Sequence, residues 1–412
     1  MRILWLCNLA PGLVRGNTGG LWMDHVLGDL RKRSDMTIHI LYRGEEAPGE
    51  KDGVTYAAFR EPKPQVYMPE LETRFAETLK AFQPDVIHIW GTEYGHTLAM
   101  VNAAEKAGRL NTVVVSIQGL CSVIARHYLE GIPCAVRKRW TFRDLVRRDN
   151  LLCQAKTFAR RGALERQALG KVRHILGRTQ WDMACTYAIN PQRVYHPCGE
   201  TLREEFYGDV WRYETCRRHS IFASSADYPV KGFHYLLEAF RDVLKDYPDA
   251  TLAVAGNSFF TVSPLRRTSY QGYLAELAAE YGVADKVEFL GSLSAREMKQ
   301  AYLEANVFAL SSTIENSPNS LGEAMLLGVP SVAADVGGVA DMMDHGKEGY
   351  ICQPTAPYML AHHICRIFRM EEDAENLGSA ARAHAQKTHD PENNLAALLH
   401  IYEEVIGEAG RN

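Results

Sequence analysis

Residues 311–330 read SSTIENSPNSLGEAMLLGVP, and the fold can be worked out from them outward. Just before them, VFAL (residues 307–310) is a short apolar run of the kind that forms a buried parallel strand. Ser311 to Asn319 is polar, with turn chemistry at Pro318 and Asn319. From Ser320 the run LGEAMLL consists of helix-compatible residues, and Gly328 and Pro330 stop it. The order is strand, loop, helix start. A helix start offers backbone N–H groups and the positive end of aligned peptide dipoles, which suits phosphate. Glu315 in the loop and Glu323 inside the helix bracket this point, and Pro318 argues against one continuous helix joining them. Each acid then reaches a different part of one ligand. A carboxylate accepts two hydrogen bonds at once, as adjacent sugar hydroxyls require. Sugar and ribose alcohols on the two acids, with phosphate on the amides of Asn319, Ser320 and Leu321, describe a nucleotide-sugar. Taken alone, the same residues also fit a solvated Glu315 and a helix-capping Glu323.

ENSPNSLGE followed by AMLLGVP resembles the E-x7-E signature of the retaining glycosyltransferases of family GT4. The resemblance implies an α/β chain of GT-B fold, with two Rossmann-like domains whose parallel sheets face each other across a cleft. It is strongest from Ser220 to Pro354. The expected domains are residues 1–200, binding acceptor, residues 201–385, binding donor, and a C-terminal helix at 386–412 crossing back to the first domain.

The chain's 412 residues suit two such domains. Net charge is -4, so global charge predicts no nucleic-acid partner. The 9 cysteines form no CxxC pairs and have no zinc-spaced histidines, which fits a reducing cytoplasm. MRILWLCNLAPG is too short in its apolar run for a signal peptide, and no stretch reaches the roughly 20 apolar residues of a membrane span.

In the first half, apolar runs at Ile3–Cys7, Thr37–Tyr42, Val54–Phe59, Pro84–Gly91, Thr112–Ile117 and Ile175–Thr179 alternate with helical spacing. That pattern predicts a parallel sheet covered on both faces, with ligands at the strands' carboxyl ends. The loop PGLVRGNTGGLW lacks GxGxxG, so it is not a dinucleotide fingerprint. The resemblance makes Gly19 and Gly20 donor-phosphate neighbours. It also makes Gln118, where many members carry His, a sugar-binding group, since an amide cannot take a proton at neutral pH. Glu93 and His96 are expected to meet the acceptor, and His88 to be a satisfied core residue. Arg178 is expected either to meet phosphate or acceptor, or to pair with Asp182.

Between Arg126 and Arg173 cations dominate, among them Arg137, Lys138, Arg139, Arg143, Arg147 and Arg148. Trp140, Phe142, Leu145, Leu151 and Leu152 are interleaved with them. The basic stretch 137–161 suits peripheral contact with anionic lipid or an anionic acceptor such as a lipid diphosphate, and equally a solvated helix face. Localisation is expected to be cytoplasmic, with the inner face of the membrane as a variant.

In the second half, the broken pattern from Tyr195 to Arg218 is the expected linker. Lys231-Gly232 before HYLLEAF resembles the family's KG element, which implies that Lys231 holds the leaving diphosphate. The family's Arg a few residues earlier is replaced here by Ser225 and Ala226, with Arg178, Arg217 or another Arg of the first half as the expected substitute. The resemblance sets Leu293 beside the base, while Ser294 and Glu297 read as a capping box. It assigns Lys231 and Glu315 to catalysis. It implies a metal-independent hexosyltransferase with no cofactor beyond its nucleotide-diphosphate-sugar donor, acting on a saccharide or lipid-linked acceptor in polysaccharide or glycoconjugate biosynthesis. The alternatives are a non-catalytic nucleotide-sugar-binding protein, or another GT-B enzyme such as an epimerase.

Overall fold

A computed structural model describes residues 1–12, 21–226 and 228–411, without the side chains of Leu21 and Trp22. Gly19 and Gly20 lie outside the described residues.

The chain contains two compact units. The first comprises residues 1–125, 157–203 and 389–412, and the second residues 126–156 and 204–388. The stretch 126–156, assigned from sequence to the first domain, therefore packs with the second. Its Asp144 carboxylate accepts the Ser269 amide at 3.0 Å, and Arg139 pairs with Glu276 at 2.7 Å.

The first unit is built on eight strands: β1 Arg2–Cys7, β2 Thr37–Arg43, β3 Gly49–Lys51, β4 Val54–Phe59, β5 Val86–Trp90, β6 Val113–Ser116, β7 His174–Gly177 and β8 Val194–Pro197. Their order is β3-β4-β2-β1-β5-β6-β7-β8, parallel except for the β3–β4 pair. Two of these were not expected. β3 is a three-residue strand hairpinned onto β4, and β8 (VYHP) falls inside the presumed linker. Central strands such as β1 are buried on both faces, which is why they read as unbroken apolar runs. One core layer gathers Phe59, Phe75, Ile87 and Val115. On the other face Ile3, Trp5 and Ile40 meet the last helix, Pro391–Ala409, through Leu398, Ile401, Tyr402 and Val405.

The tail consists of two helices. Ala374–Thr388 belongs to the second unit, and Asp390 caps the second helix with Pro391 in its first turn. His88 is fully buried, as expected, with Nδ1 at 2.6 Å from the Tyr402 hydroxyl and Nε2 at 2.7 Å from Ser116 Oγ.

The second unit has six parallel strands: β9 Ser220–Ala223, β10 Thr251–Val254, β11 Val287–Phe289, β12 Val307–Leu310, β13 Ser331–Ala334 and β14 Tyr350–Cys352, in the order β11-β10-β9-β12-β13-β14. The helix Phe233–Asp246 buries Phe233, Leu236, Leu237, Phe240 and Val243, a 3.6-residue period laid against the sheet. β9, β12 and β13 are adjacent, so the loops leaving their carboxyl ends converge.

Candidate active site

Three loops meet at that edge of the second unit. Lys231 follows β9, Glu315 follows β12 and Gly337 follows β13. Lys231 Nζ lies 2.8 Å from Glu315 Oε1, and the same oxygen accepts the Ser312 hydroxyl at 2.7 Å. Glu315 Oε2 makes no hydrogen bond among the described residues. Burial works against the lysine's charge, but the Glu315 carboxylate, the nearby Tyr228 phenol and the direct hydrogen bond outweigh it and hold the ammonium's pKa above its usual value. The result is a fixed cation beside a carboxylate with one oxygen to spare.

Two glycines make this approach possible. Gly232 has φ +63, and a Cβ there would stand 1.8 Å from the Ser311 carbonyl oxygen. Gly337 has φ +56, and its Cβ would stand 1.6 Å from the Glu315 carbonyl oxygen. Side chains at both places are excluded by backbone conformation and by space. The Glu315 loop is therefore gripped from the β9 side and from the β13 side, with a further bond of 3.3 Å from the Gly338 amide to the Glu315 carbonyl.

The helix after this loop is Asn319–Leu327, entered through Pro318 and closed by Gly328 in the left-handed region. Its N-cap residue, Pro318, has no side chain able to cap it. The Tyr302 hydroxyl fixes that start by donating to the Ser320 carbonyl at 2.9 Å. The Leu321 amide, expected to face phosphate, instead donates to the Pro318 carbonyl at 2.9 Å. Glu323 is buried one turn further in, and it is engaged with neighbours as a buried carboxylate must be.

Other expectations change. Arg217 precedes β9 and pairs with Glu288 at 3.6 Å, so it sits at the opposite end of that strand from Lys231 and cannot replace the missing arginine. Leu293 lies in the loop after β11 and lines a hollow of about 330 Å³ with Ala253 and Leu290 beside the helix Ala295–Glu304. Ser294 and Glu297 form the expected capping box, at 3.3 and 2.7 Å.

In the first unit, Gln118, Arg178 and Glu200 leave the adjacent strands β6, β7 and β8 and line one pocket. Arg178 pairs with Glu200 and reaches Gln118 Oε1 at 3.4 Å, while Asp182 accepts the Arg178 backbone amide at 3.0 Å. The expected Arg178–Asp182 side-chain pair is thus replaced by a partner 22 residues away. His96 is buried rather than open to an acceptor. Its Nδ1 is 2.7 Å from Glu61 Oε2, and its ring stacks on Tyr94. Burial raises the Glu93 carboxyl pKa, and Arg161 donates to the Glu93 carbonyl at 2.5 Å.

Glu165 was missed. Its buried carboxylate accepts the Cys121 and Ser122 amides at 2.8 and 3.0 Å, and it lies 3.0 Å from Thr92 Oγ1. It caps the helix that follows Gln118, and burial pushes its pKa up to about 7. The residue lies 47 positions beyond Gln118 within a charge-rich helix, so no local pattern marks it.

Residues 217–384 match the family described as glycosyl transferases group 1. This segment resembles a group 1 glycosyl transferase domain. It contains Lys231, Glu315 and Glu323. Spore coat protein SA of Bacillus subtilis is 27% identical over 217 residues, covering 51% of this chain and 56% of that protein, so the match spans little more than half of it. YtcC of Bacillus subtilis, provisionally named a glycosyltransferase, is 24% identical over 424 residues, covering 98% and 93% of the two chains. Among solved structures, Anabaena Alr3699/HepE in complex with UDP-glucose superposes with a TM-score of 0.70 at 18% identity, covering 98% of this chain and all of that one. The chain has the GT-B fold.

Proposed function

We propose that the protein is a retaining glycosyltransferase that moves a sugar from a nucleoside-diphosphate donor to a saccharide or lipid-linked acceptor. The observation carrying this reading is the Lys231–Glu315 pair at 2.8 Å, with Glu315 on the loop leading into the helix Asn319–Leu327 and between two glycine clamps. In this reading the Lys231 ammonium and the first-turn amides of Asn319 and Ser320 hold the diphosphate. Glu315 uses its spare oxygen for sugar hydroxyls, and Glu323 takes the ribose. The C1–phosphate oxygen bond breaks as the acceptor oxygen bonds to C1 on the same face. The acceptor's proton passes to the departing phosphate oxygen. Lys231 balances the negative charge that grows there, in a low-dielectric site where one fixed cation is worth several kcal/mol, roughly 3 by analogy with a single oxyanion donor.

Gln118 is proposed to contact the transferred sugar, and Arg178 to orient Gln118. Because Lys231 supplies the charge, activity is expected to survive chelation of divalent metals. HepE was solved with UDP-glucose, which makes uridine donors the first to try. The nine free thiols fit a reducing compartment such as the cytoplasm. Glycoconjugate or polysaccharide assembly is the proposed setting.

The test is incubation with UDP-sugars and no acceptor, followed by NMR of the released sugar. Slow release of the sugar in the donor's own anomeric configuration supports a retaining transferase. Tight nucleotide binding with no turnover, with or without acceptors, would leave a binding protein instead.

A further inference from the structure

We infer that the second unit docks on an anionic phospholipid bilayer through the short helix Phe142–Arg147 and the turn beside it. This rests on the surface alone and does not depend on the glycosyl-transfer reading.

The helix is inside out. Its acid, Asp144, is fully buried, while Phe142, Leu145 and Val146 are 61%, 58% and 66% exposed. Trp140, two residues before the helix, is 45% exposed. The turn Pro264–Arg266 packs against the same helix and adds Leu265 at 64%. Five of the large apolar side chains most open to water among the described residues thus share one projection. A contiguous exposed apolar patch is unusual on a protein that meets only water.

The projection is held by design of its polar side and is no loose loop. Thr141 and Asp144 form a reciprocal capping box. Asp144 also accepts the amide of Ser269, the first residue of the helix Ser269–Glu280, at 3.0 Å. Arg143 spans Asp144 and Asp149, each at 3.2 Å. Asp144 is therefore spent inward, Asp149 on Arg143, and Glu276 on Arg139 at 2.7 Å. Lys138, Arg147 and Arg266 are exposed and make no ion pair among the described residues.

An apolar tip with an unpaired basic collar fits one occupant: a surface that takes up Phe, Leu, Val and Trp below a layer of negative charge. That is the interface of a bilayer rich in anionic headgroups. A second copy of this chain would bring a like-charged collar against this one. The stretch 137–161 is only partly involved, because Leu151 is a core residue and the segment from Leu151 onward is a 19-residue helix, Leu151–Leu169.

The test is co-sedimentation of the full chain with phosphatidylcholine vesicles and with vesicles containing phosphatidylglycerol. The wild type is expected to pellet with the anionic vesicles, several-fold less with neutral ones, and less as salt rises. Leu145→Ser with Val146→Ser should abolish retention, and Lys138→Glu with Arg147→Glu should lower it at least several-fold. Neither double variant should shift the thermal unfolding midpoint, since these side chains lie in solvent. The inference is overturned if the wild type ignores anionic vesicles, or if the Leu145/Val146 variant pellets like wild type. It is also overturned if sedimentation analysis finds a dimer that this variant abolishes, since the face would then be a contact between copies.

Discussion

At Gly337 a single missing methyl decides whether Glu315 can stand where it does. A Cβ there would lie 1.6 Å from the Glu315 carbonyl oxygen, at a φ that L residues avoid. Gly337→Ala is therefore expected to cost at least about 2 kcal/mol of stability, from strain and forced displacement together. It should also weaken donor binding more than Gly338→Ala does, as read by urea unfolding and by titration calorimetry on both variants. Lys231 gives a second prediction. Its pKa is raised, so its charge should persist throughout the neutral range, and donor affinity should not fall between pH 7 and pH 9 on its account. Lys231→Met should lower kcat by about a hundredfold or more, the scale of one lost transition-state charge contact. These residues differ in legibility. Lys231, Glu315 and Glu323 sit in recognisable local contexts. Gly337 does not, because its positive φ arises from a strand neighbour's loop pressing on it. His96 and Arg178 were misjudged for the same reason: their partners, Glu61 and Glu200, are 35 and 22 residues away.

Among the elements, the helix Pro391–Ala409 is tied to the first unit by polar bonds that local periodicity cannot show. The Tyr402 hydroxyl joins Trp5 Nε1 at 3.1 Å and His88 Nδ1 at 2.6 Å. Tyr402→Phe leaves both partners buried short of a hydrogen bond and should cost about 1–3 kcal/mol in urea unfolding. The same helix carries Glu404 and Glu408 beside the buried pair His174 and His196, whose rings are 3.1 Å apart at Nδ1 and Nε2. Burial and the second imidazole push His174 down to about 4, and burial lowers His196 as well. A depressed histidine pKa contributes stability that is complete above its unfolded value near 6.5 and is lost as pH falls toward the folded value. Stability should thus drop between pH 6.5 and pH 4, by on the order of 3 kcal/mol for His174 alone. His174→Asn should flatten that slope in denaturation curves taken across the range. Strands fared better than ties between elements. Val54–Phe59 and Val307–Leu310 were legible to the residue because apolar runs mark them. Val194–Pro197 was lost because VYHP carries no such run and pairs only along one edge, with β7.

Over the whole molecule, the two sheets belong to two compact units. The GT-B architecture was readable from the alternation of strands and helices together with the motif around Glu315. Less readable was that residues 126–156 belong to the second unit, since membership there depends on Asp144 finding the amide of Ser269, 125 positions on. If the second unit alone holds the nucleotide's contacts, UDP at a hundred times its Kd should stabilise the transition that includes that unit by about 2.7 kcal/mol. Differential scanning calorimetry with and without UDP checks this.

In the proposed function, Lys231, the start of the helix Asn319–Leu327, Glu315 and Glu323 together hold one nucleotide-sugar. The most direct measurement is calorimetric titration of UDP and UDP-glucose into wild type, Glu323→Ala and Glu315→Gln. Loss of the ribose carboxylate should weaken both ligands by tenfold or more, the scale of a lost charge-assisted hydrogen bond. Glu315→Gln should weaken UDP-glucose selectively, since its spare oxygen is assigned to the sugar. Wild-type affinity for both ligands in both variants would contradict the claim.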